Sequence, residues 1–272
     1  MLGAIIGDIV GSRFEFNNIK TKDFVLLDLD DSFSTDDSIM SLAVLDMFIN
    51  NKLNSDEEVT KTFRKWGRTY PHAGYGCRFR DWLKEDIIRP INSYGNGSAM
   101  RVSAVAWYSN SEEEVIENAK KVTRVSHNHP EGIKGAVVTA MCIYYARIGK
   151  SKEFIKDYVS KYYDINFNYD DLVKNYDFYE TCQQSVPEAI YCFLISTSFI
   201  DCIRTTISIG GDCDTTAAIS GAIAEAFYKD EFNDEEWYSK IIPFLPESKN
   251  GCRIEELLKS FISHKKEILN KQ

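Results

Sequence analysis

Two short acidic clusters stand where loops run into helical sequence. The first is Ser34-Thr35-Asp36-Asp37, followed by the apolar positions Ile39, Met40, Ala43, Leu45 and Met47. The second is Gly210-Gly211-Asp212-Cys213-Asp214-Thr215, followed by Ala217, Ala218, Ile219, Gly221 and Ala222. Acids at a helix start stabilise it by ~0.3–1 kcal/mol each, so either cluster alone reads as capping. Their details add a second reading. Asp212 and Asp214 alternate across one residue, and alternate side chains of an extended turn share a face. The two preceding glycines let the backbone bend close to a ligand. Threonine hydroxyls beside both pairs add neutral oxygen donors. An all-oxygen set suits Mg2+, Mn2+ or Ca2+ rather than zinc. Two unit charges at ~4 Å repel by about 4 kcal/mol at an effective dielectric of ~20. The four aspartates are therefore either apart and structural, or together and filled by cations.

Three further groups carry possible chemistry. Tyr94-Gly95-Asn96-Gly97-Ser98-Ala99-Met100 reads as a turn entering a helix. Its backbone N–H groups could cradle an anion, or it is an ordinary Asn-Gly turn. His127 and His129 flank Asn128 just before Pro130. No third zinc-type ligand stands at motif spacing, so a neutral histidine bonding a ligand, or capping the next helix, fits better than zinc. Glu15 lies between Phe14 and Phe16, and apolar surroundings would raise its pKa towards general acid or base use.

The elements that must position these groups are helical. Ile133, Ala136, Val137, Ala140, Tyr144 and Ile148 recur at helix spacing, with Pro130 near the first turn and Gly149 as a stop. Ser111 with Glu114, and Ser55 with Glu58, are capping-box pairs. Ile254, Leu257, Leu258, Phe261 and Ile262 form a C-terminal stripe. Small residues after the second acidic cluster, Ala217, Ala218, Gly221, Ala222 and Ala226, give that helix a thin side that a neighbouring backbone can approach. Asp23 to Leu29 is a short extended candidate without a partner. The 151–181 segment, rich in Tyr, Asp and Lys, reads as a solvated helical hairpin, with a lid or surface insertion as the alternative. The fold expectation is all-α: one compact multi-helix domain over residues 1–272.

The net charge of −9 excludes a general nucleic-acid binder, which needs a basic face. Seven cysteines in irregular spacing, with no Cys-x-x-Cys, fit reduced thiols. Asp8 breaks the apolar N-terminal run, no basic residue precedes it, and no stretch is long enough to span a bilayer. The expectation is a cytoplasmic protein that binds no membrane and no nucleic acid directly, and a monomer.

Taken together, the motifs resemble the ADP-ribosylglycohydrolase family. The matching pieces are Gly7-Asp8-x-x-Gly11-Ser12 with Glu15, Thr35-Asp36-Asp37, Gly95-Asn96-Gly97-Ser98-Ala99-Met100-Arg101, His127-x-His129-Pro130, and Gly210-Gly211-Asp212-Cys213-Asp214-Thr215, in the family's order. The resemblance implies an all-α domain with two Mg2+ ions, Mn2+ being the alternative. It assigns Thr35, Asp36, Asp37, Asp212, Asp214 and Thr215 as metal ligands. It places Glu15 on a loop over the metals, and Tyr94, Gly95, Asn96, Gly97, Ser98 and Met100 against diphosphate and ribose. Gly210 and Gly211 approach the ligand, and His127 lies beside it. Glu15 is the expected proton-transfer group, with Asp37 or Asp214 steering water. The implied activity is Mg2+-dependent hydrolysis at C1″ of ADP-ribose joined to a protein or a small molecule. Alternatives are a non-catalytic ADP-ribose or metal binder of the same family, and another Mg2+-dependent, diphosphate-processing all-α enzyme. Two departures stand out. Val102-Ser103-Ala104-Val105-Ala106 lacks the Pro and Gly common in relatives, and the 151–181 segment aligns with nothing in the family.

Overall fold

Serine and threonine caps start several of the helices. Ser55 Oγ accepts from Glu58 N at 3.2 Å, and Ser111 Oγ accepts from Glu114 N at 3.2 Å. Thr35 Oγ1 accepts from Asp37 N at 3.3 Å. Each such cap satisfies an orphan donor and stabilises by ~0.5–2 kcal/mol. The computed structural model describes residues 1–271. In chain order its helices are α1 (Leu2–Gly11), α2 (Asp36–Ile49), α3 (Asp56–Thr69), α4 (Cys77–Lys84), α5 (Ser103–Tyr108), α6 (Glu112–Arg124) and α7 (Pro130–Arg147). They continue with α8 (Lys152–Val159), α9 (Tyr169–Asn175), α10 (Val186–Ile195), α11 (Phe199–Ser208), α12 (Cys213–Phe227), α13 (Asp234–Ile241) and α14 (Ile254–Leu269).

The fold is all-α. Among the described residues there is no strand, only isolated bridges between Gly95 and Thr181 and between Lys249 and Cys252. The extended candidate at Asp23 to Leu29 is irregular chain instead. Side chains rather than a ladder hold it. Arg13 binds the Val25 carbonyl and pairs with Asp28 at 3.3 Å, while Arg204 binds the Lys22 and Phe24 carbonyls. No described helix is long and apolar enough to cross a membrane.

Two helices buried on every side form the centre. All of α1 is buried, as is α12 from Cys213 to Ala226. A helix apolar all round belongs inside a core. They run antiparallel and touch backbone to backbone: Gly3 meets Gly221, Gly7 meets Ala217, and Gly11 meets Asp214. A methyl on Gly7 would lie 2.1 Å from the Ala217 carbonyl oxygen. The thin side read from the sequence of α12 is thus filled by α1. Helices α7, α10 and α11 also pack against α12. Near Gly3, Glu225 of α12 accepts from Gly3 N at 2.8 Å and from Lys265 Nζ of α14 at 2.9 Å. Lys265 also binds Asp234 at 2.7 Å, so neither Glu225 nor Lys265 is buried without a partner of opposite charge.

The 151–181 segment is more than a solvated hairpin. Helix α9 buries nothing, but the chain after it returns to the Tyr94 turn. Cys182 N donates to Tyr94 O at 3.0 Å, and Asn96 N donates to Glu180 O at 2.9 Å.

Gly7→Ala is expected to force the α1–α12 crossing open, a cost of ~1–3 kcal/mol by overpacking. A thermal melt followed by circular dichroism should show a clear fall in Tm. An unchanged Tm would rule out backbone contact at this crossing.

Candidate active site

The crossing of α1 and α12, with the start of α2, gathers acids from three distant stretches of sequence. Carboxylate oxygens of Asp8, Asp37 and Asp214 lie within 4.8 Å of one another. Those of Glu15, Asp212 and Asp214 do the same. Asp214 belongs to both trios, so two neighbouring acidic positions share one carboxylate. Asp212 is the N-cap of α12 and Asp214 sits in its first turn. Their convergence therefore comes from helix entry, not from the extended turn read in the sequence.

The turn before them needs its glycines. Gly210 and Gly211 both have φ near +75°, and a methyl on Gly211 would lie 2.5 Å from the Tyr176 ring and 2.6 Å from the Asp177 carbonyl. Asn18 clasps this turn: its Oδ1 accepts from Gly211 N at 2.7 Å and its Nδ2 donates to Gly211 O at 3.0 Å.

The acids differ in how they are satisfied. Asp8 is fully engaged. Its carboxylate accepts from Thr35 N at 2.9 Å, Thr35 Oγ1 at 2.6 Å, Ser38 N at 3.1 Å, and the Ser38 hydroxyl. Burial raises its pKa to about 6 against those bonds. Asp37 Oδ2 accepts from Thr215 Oγ1 at 3.1 Å, while its Oδ1 is buried with no hydrogen-bond partner. Asp212 Oδ2 accepts from Asn96 Nδ2 at 2.7 Å, and Asp214 Oδ1 from Thr215 N at 2.9 Å. Burial, then neighbouring carboxylates, push Asp36, Asp37 and Asp214 well above the usual range. Burial, then Asp212, Asp8 and Glu180, raise half-buried Glu15 to about 7. Asp36 joins neither trio, although its charge is felt by Asp37.

These residues fit divalent cations. The donors are all oxygen, they repel one another, and the orphaned Asp37 oxygen lacks only a positive partner. Asp8 is the poorer ligand of its trio because Thr35 and Ser38 already use both its oxygens. It acts instead as the anchor that pins the start of α2.

The remaining candidates surround this centre. The N–H groups of Gly95, Asn96, Ser98, Ala99 and Met100 are used in bonds within the protein, so those five form no anion cradle. Asn96 contributes its side chain to Asp212 instead. Ser98 is buried and donates to the Gly132 carbonyl at 2.8 Å, a packing role. Met100 lines the floor, its sulfur 4.0 Å from Thr215 Oγ1. The exposed Tyr94 ring meets His129 edge-on at 5.2 Å. His129 caps α7 by accepting from Glu131 N at 3.1 Å. His127 binds Ser126 Oγ through Nδ1 at 2.8 Å, and a methyl on Gly97 would lie 3.4 Å from its Nε2. Burial, then Arg101 and Arg78, lower its pKa far below 6.5, so it is neutral. The Cys213 thiol lies 3.8 Å from Phe14 O and 3.9 Å from Ile207 O, and it belongs to neither acidic trio.

Two residues that shape the site received no role from the sequence: Asp8, present in the Gly7-Asp8 motif, and Asn18. Asp8 had a visible signal, as the lone charge in an otherwise apolar helix. Asn18 had none, since its partner Gly211 is remote in sequence.

Comparison with known proteins finds relatives over most of the chain. ADP-ribosylhydrolase ARH3 of Homo sapiens is 25% identical, aligned over 87% of this chain and 86% of its own. ADP-ribosyl-[dinitrogen reductase] glycohydrolase of Rhodospirillum rubrum is 23% identical, covering 88% of each chain. A solved structure, described as an ADP-ribosylglycohydrolase-related protein complex, superposes with a TM-score of 0.69 at 18% identity. It covers 97% of this chain and 96% of its own, which shows a shared fold. The family model for ADP-ribosylglycohydrolase matches residues 1–267, and the chain belongs to that family.

Proposed function

We propose that this protein is a divalent-cation-dependent hydrolase that cleaves the glycosidic bond at C1″ of ADP-ribose joined to a protein or a small molecule, releasing ADP-ribose. The observation that carries the reading is the pair of carboxylate trios sharing Asp214, with one buried Asp37 oxygen unpartnered. Asp37, Asp214, Thr35 and Thr215 would hold one Mg2+ ion, and Asp212, Asp214 and Glu15 would face the other. Asp36 is a further proposed ligand from the same turn. Bound there, the ions would orient ribose hydroxyls and offset developing charge.

The chain's own residues do the rest. Thr35 gives its hydroxyl proton to Asp8 and accepts from the Asp37 amide on one lone pair, which leaves the other for a cation. Asn96 fixes Asp212. Neutral His127, beside Gly95 and Gly97, presents no competing positive charge to the ligand. Glu15, with a pKa near neutrality, can give or take a proton at working pH. The C1″ bond breaks with its electron pair on the departing atom, and water supplies oxygen to C1″. Glu15 moves the proton between water and the departing atom, while Asp37 or Asp214 steers the water.

Asp36→Ala and Asp214→Ala are each expected to abolish Mg2+ binding in calorimetry and ADP-ribose release. Full metal affinity in both variants would sink the two-metal reading. Glu15→Gln should keep ADP-ribose binding while turnover falls by about 10²-fold or more. Near-normal turnover on arginine-linked, serine-linked and small-molecule conjugates would remove Glu15 from the mechanism. Without metal, the raised pKa values of Asp8 and Glu15 mean that the folded state binds protons the unfolded state releases. Stability should therefore fall as pH rises from the unfolded carboxyl range near ~4 to about 7. Mg2+ should then raise Tm more at alkaline than at acidic pH, because protons compete for the same oxygens. Equal shifts at both ends would contradict this.

A further inference from the structure

Two exposed aromatic rings stand at the rim beside Glu15. Phe16 directly follows Glu15, and Phe178 lies two residues before Glu180. Glu180 is tied to the site through its carbonyl, which accepts from Asn96 N at 2.9 Å, and its charge helps to raise the Glu15 carboxyl. The rings stack with centroids 5.8 Å apart and planes 25° apart. Burial does not account for them: Phe16 is 84% exposed and Phe178 37%. Their segments are nonetheless fixed. Asn18 clasps Gly211, and Lys20 Nζ donates to the Tyr176 carbonyl at 3.0 Å and the Ile209 carbonyl at 2.6 Å. Lys20 thereby joins the two segments. Carboxylates accompany these segments: Glu180 is close enough for its charge to act on Glu15, and Asp177 on Lys20. An open aromatic face bordered by carboxylates is suited to a flat cation.

We propose that Phe16, backed by Phe178 and flanked by Glu180, forms a leaving-group subsite that selects a planar delocalised cation, the guanidinium of an ADP-ribosylated arginine. This rests on the hydrolase reading above. A guanidinium lies flat on an aromatic face and pairs with a carboxylate at its edge. A serine oxygen has neither plane nor charge and gains nothing from the ring. In the reaction the C1″–N bond breaks with its electron pair on nitrogen, leaving a neutral guanidine. Water adds its oxygen to C1″, and the proton it releases ends on that guanidine.

The test is steady-state release of ADP-ribose from arginine-linked peptide, serine-linked peptide and O-acetyl-ADP-ribose. It uses the full chain with Mg2+, comparing wild type with Phe16→Ala, Phe178→Ala and Phe16→Tyr. Thermal melts check that each variant folds. Wild type is expected to favour the arginine-linked peptide in kcat/KM. Phe16→Ala should lower that value about two- to fivefold, mainly through KM, as loss of one exposed cation–π contact requires. Phe178→Ala should act in the same direction, Phe16→Tyr should restore the value, and O-acetyl-ADP-ribose should be unaffected. Preference of wild type for the serine-linked peptide would overturn the subsite while leaving the hydrolase reading intact. Equal loss on all three substrates would overturn it too, since that is the mark of a lid that excludes water. Release from none of the three would remove the hydrolase reading and the subsite together.

Discussion

The contact between α1 and α12 is made by main-chain atoms, and the rest of the site follows from it. Helices with ordinary side chains between them stand ~8–10 Å apart. Here glycines on α1 meet Ala217 and Gly221 with nothing in between. The closeness brings Gly11 onto Asp214 and carries Asp8, one turn earlier, to the start of α2. One crossing thus lines up three helix ends whose acids would otherwise stand a side chain further apart.

Gathered carboxylates oppose the fold that gathers them, and the protein meets this acid by acid. Asp8 is surrounded by donors from Thr35 and Ser38 and becomes part of the frame. Asp212 leans on Asn96. Asp37 alone of these acids keeps a buried oxygen without a partner, and that oxygen marks where positive charge belongs. Glu15 is the least buried of the group. It alone combines a near-neutral pKa with room to change partners. Where residues are saturated the site is rigid; where they are not, it is prepared for ligands.

Much of this was legible in the sequence, for identifiable reasons. Helix starts at Ser55, Ser111 and Asp36 were readable because caps are local chemistry, as was the stop at Gly149, whose φ is +79°. The acidic clusters were visible, but their meeting was not, because spacing along a chain carries no distance between remote segments. Order among five motifs supplied that. The Tyr94 turn stood open between an anion cradle and an ordinary turn, since most of its amides find internal acceptors that only the folded chain reveals. The role of Thr181 and Glu180 was hidden because one bridge between remote segments leaves no periodic trace.

The pairing of α1 with α12 also bears on how the chain comes to be folded. Helix α1 is buried on all sides, and ten further helices lie between it and its partner α12 in the chain. Long-range contacts of this kind slow folding and leave sticky surface uncovered meanwhile. Until Cys213–Phe227 emerges, α1 has nowhere to dock except transient company within the nascent chain or a chaperone. Because no acidic trio can assemble before that docking, a chain in which α1 and α12 stand apart has no place to hold a cation, and cation binding would report that the two have met.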